Sequence, residues 1–154
     1  MAYASQTNVN IDRSKSEIEH LLRKYGATKY GYMSDSAQRA VVVFELGRRP
    51  YRLGLEMPGK RDYETTPTGR ERSQSETQRI YDQACRQKWR ALFLLIKAKL
   101  VGIDEKLVSF EKEFLPWAML PNGQNVADYV TPQLDELIEN KKLTLQLPGT
   151  IEKE

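Results

Sequence analysis

Arg39-Ala40-Val41-Val42-Val43-Phe44-Glu45-Leu46-Gly47-Arg48-Arg49-Pro50-Tyr51-Arg52-Leu53-Gly54-Leu55-Glu56-Met57 is the stretch that decides the fold. In its second half Tyr51, Leu53, Leu55 and Met57 alternate with Arg52, Gly54 and Glu56, the pattern of a strand with one face in a core and one in water. The first half is rich in β-branched residues, which fit a pleated surface. Gly47-Arg48-Arg49-Pro50 supplies a tight connection, so the two halves are predicted to pair as a hairpin. Upstream, residues 28–33 place Tyr30 and Tyr32 on one side of a further strand. A Ser34-Asp35-Ser36 connection then completes a three-stranded antiparallel meander.

Helices flank this meander. On the N-terminal side Ile18, Leu21, Leu22 and Tyr25 form one apolar stripe, with Gly26 at the position of a left-handed cap, predicting a helix over 14–25 opened by Ser14 or Asp12. Residues 1–12 carry no periodicity and are expected to be a flexible arm. On the other side Ser75 and Gln78 match a capping box for a long helix reaching about Val101. Its centre, Ala91 to Ile96, is apolar nearly all round, which predicts packing on more than one side. Ser109 is placed to cap a short helix bearing Phe110, Phe114 and Trp117, which Pro116 limits, and Pro121-Asn122-Gly123 is a turn. Asn125 is placed to open one more turn of helix. Thr131-Pro132 is an N-cap/N1 pair for a last helix with Leu134, Leu137 and Ile138 facing inward, followed by an extended tail from Leu143. The expected fold class is α+β: N-terminal helix, three-stranded meander, long central helix, short C-terminal helices. One domain is predicted over 13–147, with 148–154 as a tail.

Whole-chain properties narrow the function classes. At 154 residues the chain suffices for one core. No run of about 18 apolar residues occurs and the start lacks the regions of a secretory signal, so a cytoplasmic protein without membrane contact is expected. Cys85 is the sole cysteine and His20 the sole histidine, which leaves little for a thiolate metal site, a catalytic triad or a zinc hydrolase. Cys85 reads as a small hydrophobe and His20 as a surface residue. No phosphate-binding glycine motif is present, and no cofactor is expected. Asp104-Glu105 and the Glu111/Glu113 pair would serve a magnesium-dependent nuclease only if carboxylates converged; at helix ends they read as solvated or capping groups.

Charge is the positive signal. Up to Lys106 there are 20 Lys and Arg against 13 Asp and Glu; beyond it the balance reverses to 4 against 8. Between Arg86 and Lys99 lie five cations and no acid. On a helical wheel Arg79, Arg86, Arg90 and Lys97 fall within roughly 40°, a row about 27 Å long that would neutralise phosphates. The loop over 58–74 adds Lys60, Arg61, Arg70 and Arg72, with Tyr63 for base stacking, and is expected to close over the same strand. Arg48, Arg49 and Arg52 are a third source. The competing reading is a solvated face, or internal pairing with Asp82, Glu76 and Glu71.

Four segments together, Ile11-Asp12-Arg13 with Tyr25-Gly26-Ala27, Thr66-Pro67-Thr68-Gly69-Arg70 with Arg72-Ser73, Arg86 to Leu100, and Phe110 to Phe114 with Leu120-Pro121-Asn122-Gly123, resemble small bacteriophage- and prophage-encoded proteins of unassigned function. That resemblance implies a DNA replication or recombination accessory, or an anti-CRISPR-like inhibitor of a host defence system. The element order is also loosely similar to the sheet-and-helix core of single-strand annealing proteins and of double-stranded RNA-binding domains, as fold analogy alone. The 17-residue loop and the extra C-terminal helices fit the latter poorly. The leading expectation is a non-enzymatic nucleic-acid-binding protein, DNA ahead of RNA. A host-protein partner is the alternative, and a homo-oligomer is compatible with either.

Overall fold

The computed structural model describes residues 4–34 and 38–140. In chain order these form α1 (Ile11–Lys24), β1 (Lys29–Ser34), β2 (Arg39–Leu46), β3 (Arg49–Glu56), α2 (Gln74–Asp104), α3 (Phe110–Phe114) and α4 (Val126–Asn140), with 3₁₀ turns at Lys60–Tyr63 and Leu115–Trp117. The architecture is the α+β arrangement expected. The sheet is antiparallel in the order β1-β2-β3. Leu46 pairs with Arg49, leaving Gly47 and Arg48 as a two-residue loop at φ +58° and +66°, the positive pair that a type I′ turn requires.

Alternation then decides which face is covered. Ala40, Val42, Phe44, Tyr51 and Leu53 are buried on the inner face, where α1 contributes Ile18 and Leu22 and α2 contributes Trp89, Leu92, Phe93, Ile96 and Leu100. Each large apolar side chain so buried contributes about 1.5–3 kcal/mol relative to exposure. One side of this core is aromatic: Phe114, fully buried, stacks on Phe110 at 4.3 Å and meets Phe44, Tyr51 and Trp117 edge-on. The outer edge of β3 is covered as well, because the Met119 amide donates to the Pro50 carbonyl at 2.9 Å and Ala118 bridges Tyr51. Pro50 is therefore accommodated on an outer strand, where proline costs least.

Four boundaries differ from the sequence expectation. Helix α1 starts at Ile11, capped by Asn10, whose side-chain oxygen accepts from the Arg13 amide at 2.7 Å; Ser14 is fully buried inside the helix and is no cap. The lead-in thus ends at residue 10, not 12, and it is docked: Gln83 Nε2 donates to the carbonyls of Ser5 and Thr7 at 3.1 Å each. Helix α2 starts at Gln74 with Ser73 as its cap, since the Ser73 hydroxyl accepts from the Glu76 amide, and it runs through Gly102 to Asp104. At the C-terminus, the turn expected at Asn125 and the helix expected from Pro132 are one helix, α4, with Pro132 in its interior.

One packing expectation fails and one holds. Leu134, Leu137 and Ile138 do not face inward: they are 50%, 51% and 52% exposed. Helix α2 is packed on more than one side, as expected, by the sheet, α1, the loop's 3₁₀ turn and α3, although Leu95 and Val101 remain 46% and 50% exposed. The expected 35–36 connection and the tail from Leu143 lie outside the described residues.

Candidate nucleic-acid interface

The cationic row of α2 points toward α1, and its middle members are occupied. The Arg90 guanidinium bonds the Glu17 carboxylate and lies 4.2 Å from the Phe93 ring centre, its side chain 22% exposed. Arg86 donates twice to Gln83 Oε1, at 3.1 and 2.7 Å, and Gln83 in turn holds the lead-in. Arg86 and Arg90 therefore clamp the N-terminal segment to α2. Arg79 and Lys97, at the ends of the row, are exposed. Near Lys97 a depression of about 370 Å³ opens between α1 and α2, lined by Glu17, His20, Leu21 and Phe93.

Glu17 is the residue that sequence reasoning missed. Its carboxyl is held below the ordinary carboxylate value first by the hydrogen bond from Arg90, with Arg13 adding to it against the upward effect of burial. A depressed folded-state pKa contributes stability above the unfolded value, lost as pH falls through the folded one. Glu17→Gln is accordingly expected to be less stable than the parent at pH 7. The gap should narrow as pH falls below the ordinary carboxylate value and through the lowered folded-state one, read as urea midpoints at neutral and acid pH.

The 58–74 loop is built, not loose. Thr65 bridges Glu71, and the Thr66 amide donates to the Arg70 carbonyl at 2.8 Å across a turn with Gly69 at φ +83°. Inside this turn Arg72 Nη1 donates to the carbonyls of Tyr63 and Thr65 at 2.9 and 2.5 Å, and its Nε lies 3.7 Å from Glu76. Arg72 is a clamp within the loop, 15% exposed, and so is withdrawn from the set of ligand-facing cations. Lys60, Arg61 and Arg70 are exposed, and no side-chain ion pair engages them among the described residues.

The loop does not close over the α2 row. It anchors at Thr77, whose hydroxyl donates to the Tyr63 carbonyl at 3.4 Å, and Thr77 and Arg79 are two residues, about 200°, apart around the helix. Loop and row sit on opposite sides of α2. Arg48 and Arg49 are remote from the loop, because the eight residues of β3 separate them from it by about 23 Å. Three cationic groups are thus distributed around the molecule. The loop side gains one member that the sequence had not assigned to it: Lys88, exposed, borders a depression of about 440 Å³ together with Tyr63, Pro58, Ala84, Gln87 and Ala91.

Among the described residues no group of three or more His, Cys, Asp or Glu side chains is arranged to hold a metal ion. Glu113 pairs with Lys99 at 2.6 Å, and Asp104 accepts from the Tyr25 hydroxyl, so one member of each acidic pair serves helix packing. Cys85 is buried, and burial pushes its thiol above the ordinary value. Among the described residues no helix is long and apolar enough to cross a membrane. No protein-family model matches the chain, and neither does any curated protein or solved structure.

Proposed function

We propose that the protein is a non-catalytic binder of single-stranded nucleic acid, with DNA the preferred form, acting as an accessory in replication or recombination. The observation that carries the reading is the depression at Tyr63. Its walls, Tyr63, Pro58, Ala84 and Ala91, offer an apolar and aromatic floor of a size to take a base, and Lys88 stands at its rim. Lys60 and Arg61, on the same 3₁₀ turn as Tyr63, and Arg70, at the loop tip, supply phosphate contacts. Stacking on an aromatic face contributes about 1–3 kcal/mol per base and tolerates any sequence, while cations around it track the backbone. The phage resemblance agrees with such a role and extends to the cytosol of a host cell.

Acids lie among these cations, Asp62, Glu64 and Glu71 within the loop itself, so the expected affinity is micromolar at low salt. Fluorescence anisotropy with labelled single- and double-stranded DNA across a salt series tests this. Single-stranded DNA should bind more tightly, with affinity falling as salt rises. Lys60→Glu/Arg61→Glu/Lys88→Glu should weaken binding at least 30-fold, and Tyr63→Ala several-fold with an unchanged salt slope. Arg48→Glu/Arg49→Glu should have little effect. Absence of binding at low salt, or equal losses from both sets of charge reversals, overturns the reading.

The alternative of an inhibitor that docks on a host protein is favoured by a separate observation, the exposed apolar faces of α2 and α4.

A further inference from the structure

A second depression, of about 470 Å³, opens where the start of α1 and the first half of α2 meet one end of the sheet. Ile11, Ala40, Met57 and the buried Trp89 give it an apolar wall, and Lys15 from α1 faces Tyr81 and Asp82 from α2 across its polar rim. The chain leaving β3 divides it from the Tyr63 depression, since Met57 lines the one and Pro58 the other. A space of this size, apolar with a few polar groups, is the usual form of a small-molecule site.

Lys15 gives this space its chemistry. Its Nζ lies 4.0 Å from the centre of the Tyr32 ring and 4.8 Å from that of Trp89, so two aromatic faces hold the ammonium at the wall. Ring faces attract a cation, but an ammonium still carries three N–H donors. The partly buried Arg72, Arg90 and Lys99 each meet a carboxylate. Lys15, partly buried as well, has neither a carboxylate nor a hydrogen-bond acceptor on its ammonium among the described residues. Asp82 does not supply one: it accepts from Gln78 Nε2 at 2.7 Å and stands seven residues, about 10 Å, along α2 from Trp89. The mouth is also fixed in advance. Gln38, at φ +63°, keeps a left-handed backbone that residues other than glycine seldom adopt, and its carbonyl accepts from the Met57 amide at 2.7 Å.

We infer that this depression binds a small aromatic carboxylate, its carboxylate on the Lys15 ammonium and its ring against Ile11, Ala40, Met57 and Trp89. The unpaired cation selects an anion, the apolar wall selects a ring, and the volume admits a molecule of one or two rings. The inference does not rest on the nucleic-acid reading, which uses a different side of α2: Cys85 and Trp89 line this depression, Ala84, Gln87 and Ala91 the other.

The test is isothermal titration calorimetry of the full chain with three probes that share one ring: indole-3-acetate, indole-3-acetamide and tryptamine, which are anionic, neutral and cationic at neutral pH. Amide NMR shifts of the same chain locate the binding. Indole-3-acetate is expected to bind with Kd below about 1 mM and about ten-fold or more tighter than the amide, with tryptamine weakest. The shifts should fall on Ala40, Met57 and Trp89. Lys15→Gln should weaken binding of the acid about ten-fold and remove its advantage over the amide, whereas Lys15→Arg, which keeps the charge, should retain that advantage. Equal affinity for acid and amide, no binding of the acid at about 5 mM, or shifts confined to the exposed stripe of α4 overturn the inference. All three are read on the unsubstituted chain, so they hold even where a variant fails to fold. An advantage of acid over amide that survives in folded Lys15→Gln overturns it too, because the carboxylate would then sit on another cation. DNA affinity is measured separately, so either proposal fails without the other.

Discussion

Phe114→Ala is expected to lower the unfolding free energy by about 3–5 kcal/mol, a large part of the margin of a domain this size. The ring is fully buried and lies between the sheet and the C-terminal segment, stacked on Phe110 and edge-on to Phe44, Tyr51 and Trp117. Truncation leaves a ring-sized void whose walls are themselves rings. Helix α3 is five residues long, and Pro116 follows it within the next turn, so neither side can close the void without breaking a cap or a bridge. The loss should also travel outward. Ala118 and Met119 cover the edge of β3 only while Phe114 holds the segment in place, so hydrogen exchange at Met119 and Val126 should rise together with the drop in stability. Phe110→Ala, at a half-buried ring, should cost less. A Phe114→Ala loss below about 1 kcal/mol in urea would mean that the segment after α2 is not part of the cooperative unit.

How far the sequence foretold this structure depends on the range over which each signal acts. The meander was legible because alternation in Tyr51, Leu53 and Leu55 and the Gly47-Arg48 turn are local patterns, and they settle register and face together. The α2 row was equally legible as a wheel, yet its role was not. Glu17 lies 73 residues from Arg90, and nothing in the periodicity of either helix announces their pairing. Helix α4 shows the converse error. Its stripe is visible in Leu134, Leu137 and Ile138, but a stripe specifies that a face needs cover, not that the same chain supplies it. The cap of α1 was misplaced because Ser14 and Asn10 are both good cap residues, and only the buried position of Ser14 against the core distinguishes them. In the loop, composition singled out the segment but gave the wrong side of α2. Its path is set by Arg72 and by Thr77, two polar anchors without hydrophobic periodicity.

Arg72→Ala should therefore have the second largest effect, and an informative one. The guanidinium donates to two carbonyls that the turn brings together, those of Tyr63 and Thr65, and it is nearly enclosed while doing so. Hydrogen bonds from a charged donor contribute about 1.5–3 kcal/mol each, and their removal here leaves the Thr65 carbonyl without its donor and the Tyr63 carbonyl with only the long Thr77 bond. The expected cost is about 1–3 kcal/mol, confined to the loop because β2, β3 and the core do not depend on it. Amides tied into the turn, Thr66, Gly69 and Arg72, should lose exchange protection while those of β2 keep it. Arg72→Lys should not rescue them, since an ammonium lacks the planar fork that serves two carbonyls and Glu76 at once. Nucleic-acid affinity should fall with the loop, because Lys60, Arg61 and Tyr63 lose their common frame although Arg72 itself faces inward. Arg61→Ala separates the two roles: affinity should drop with protection intact. Unchanged exchange in Arg72→Ala would show that the loop is held from elsewhere, and Arg72 would then return to the ligand-facing cations.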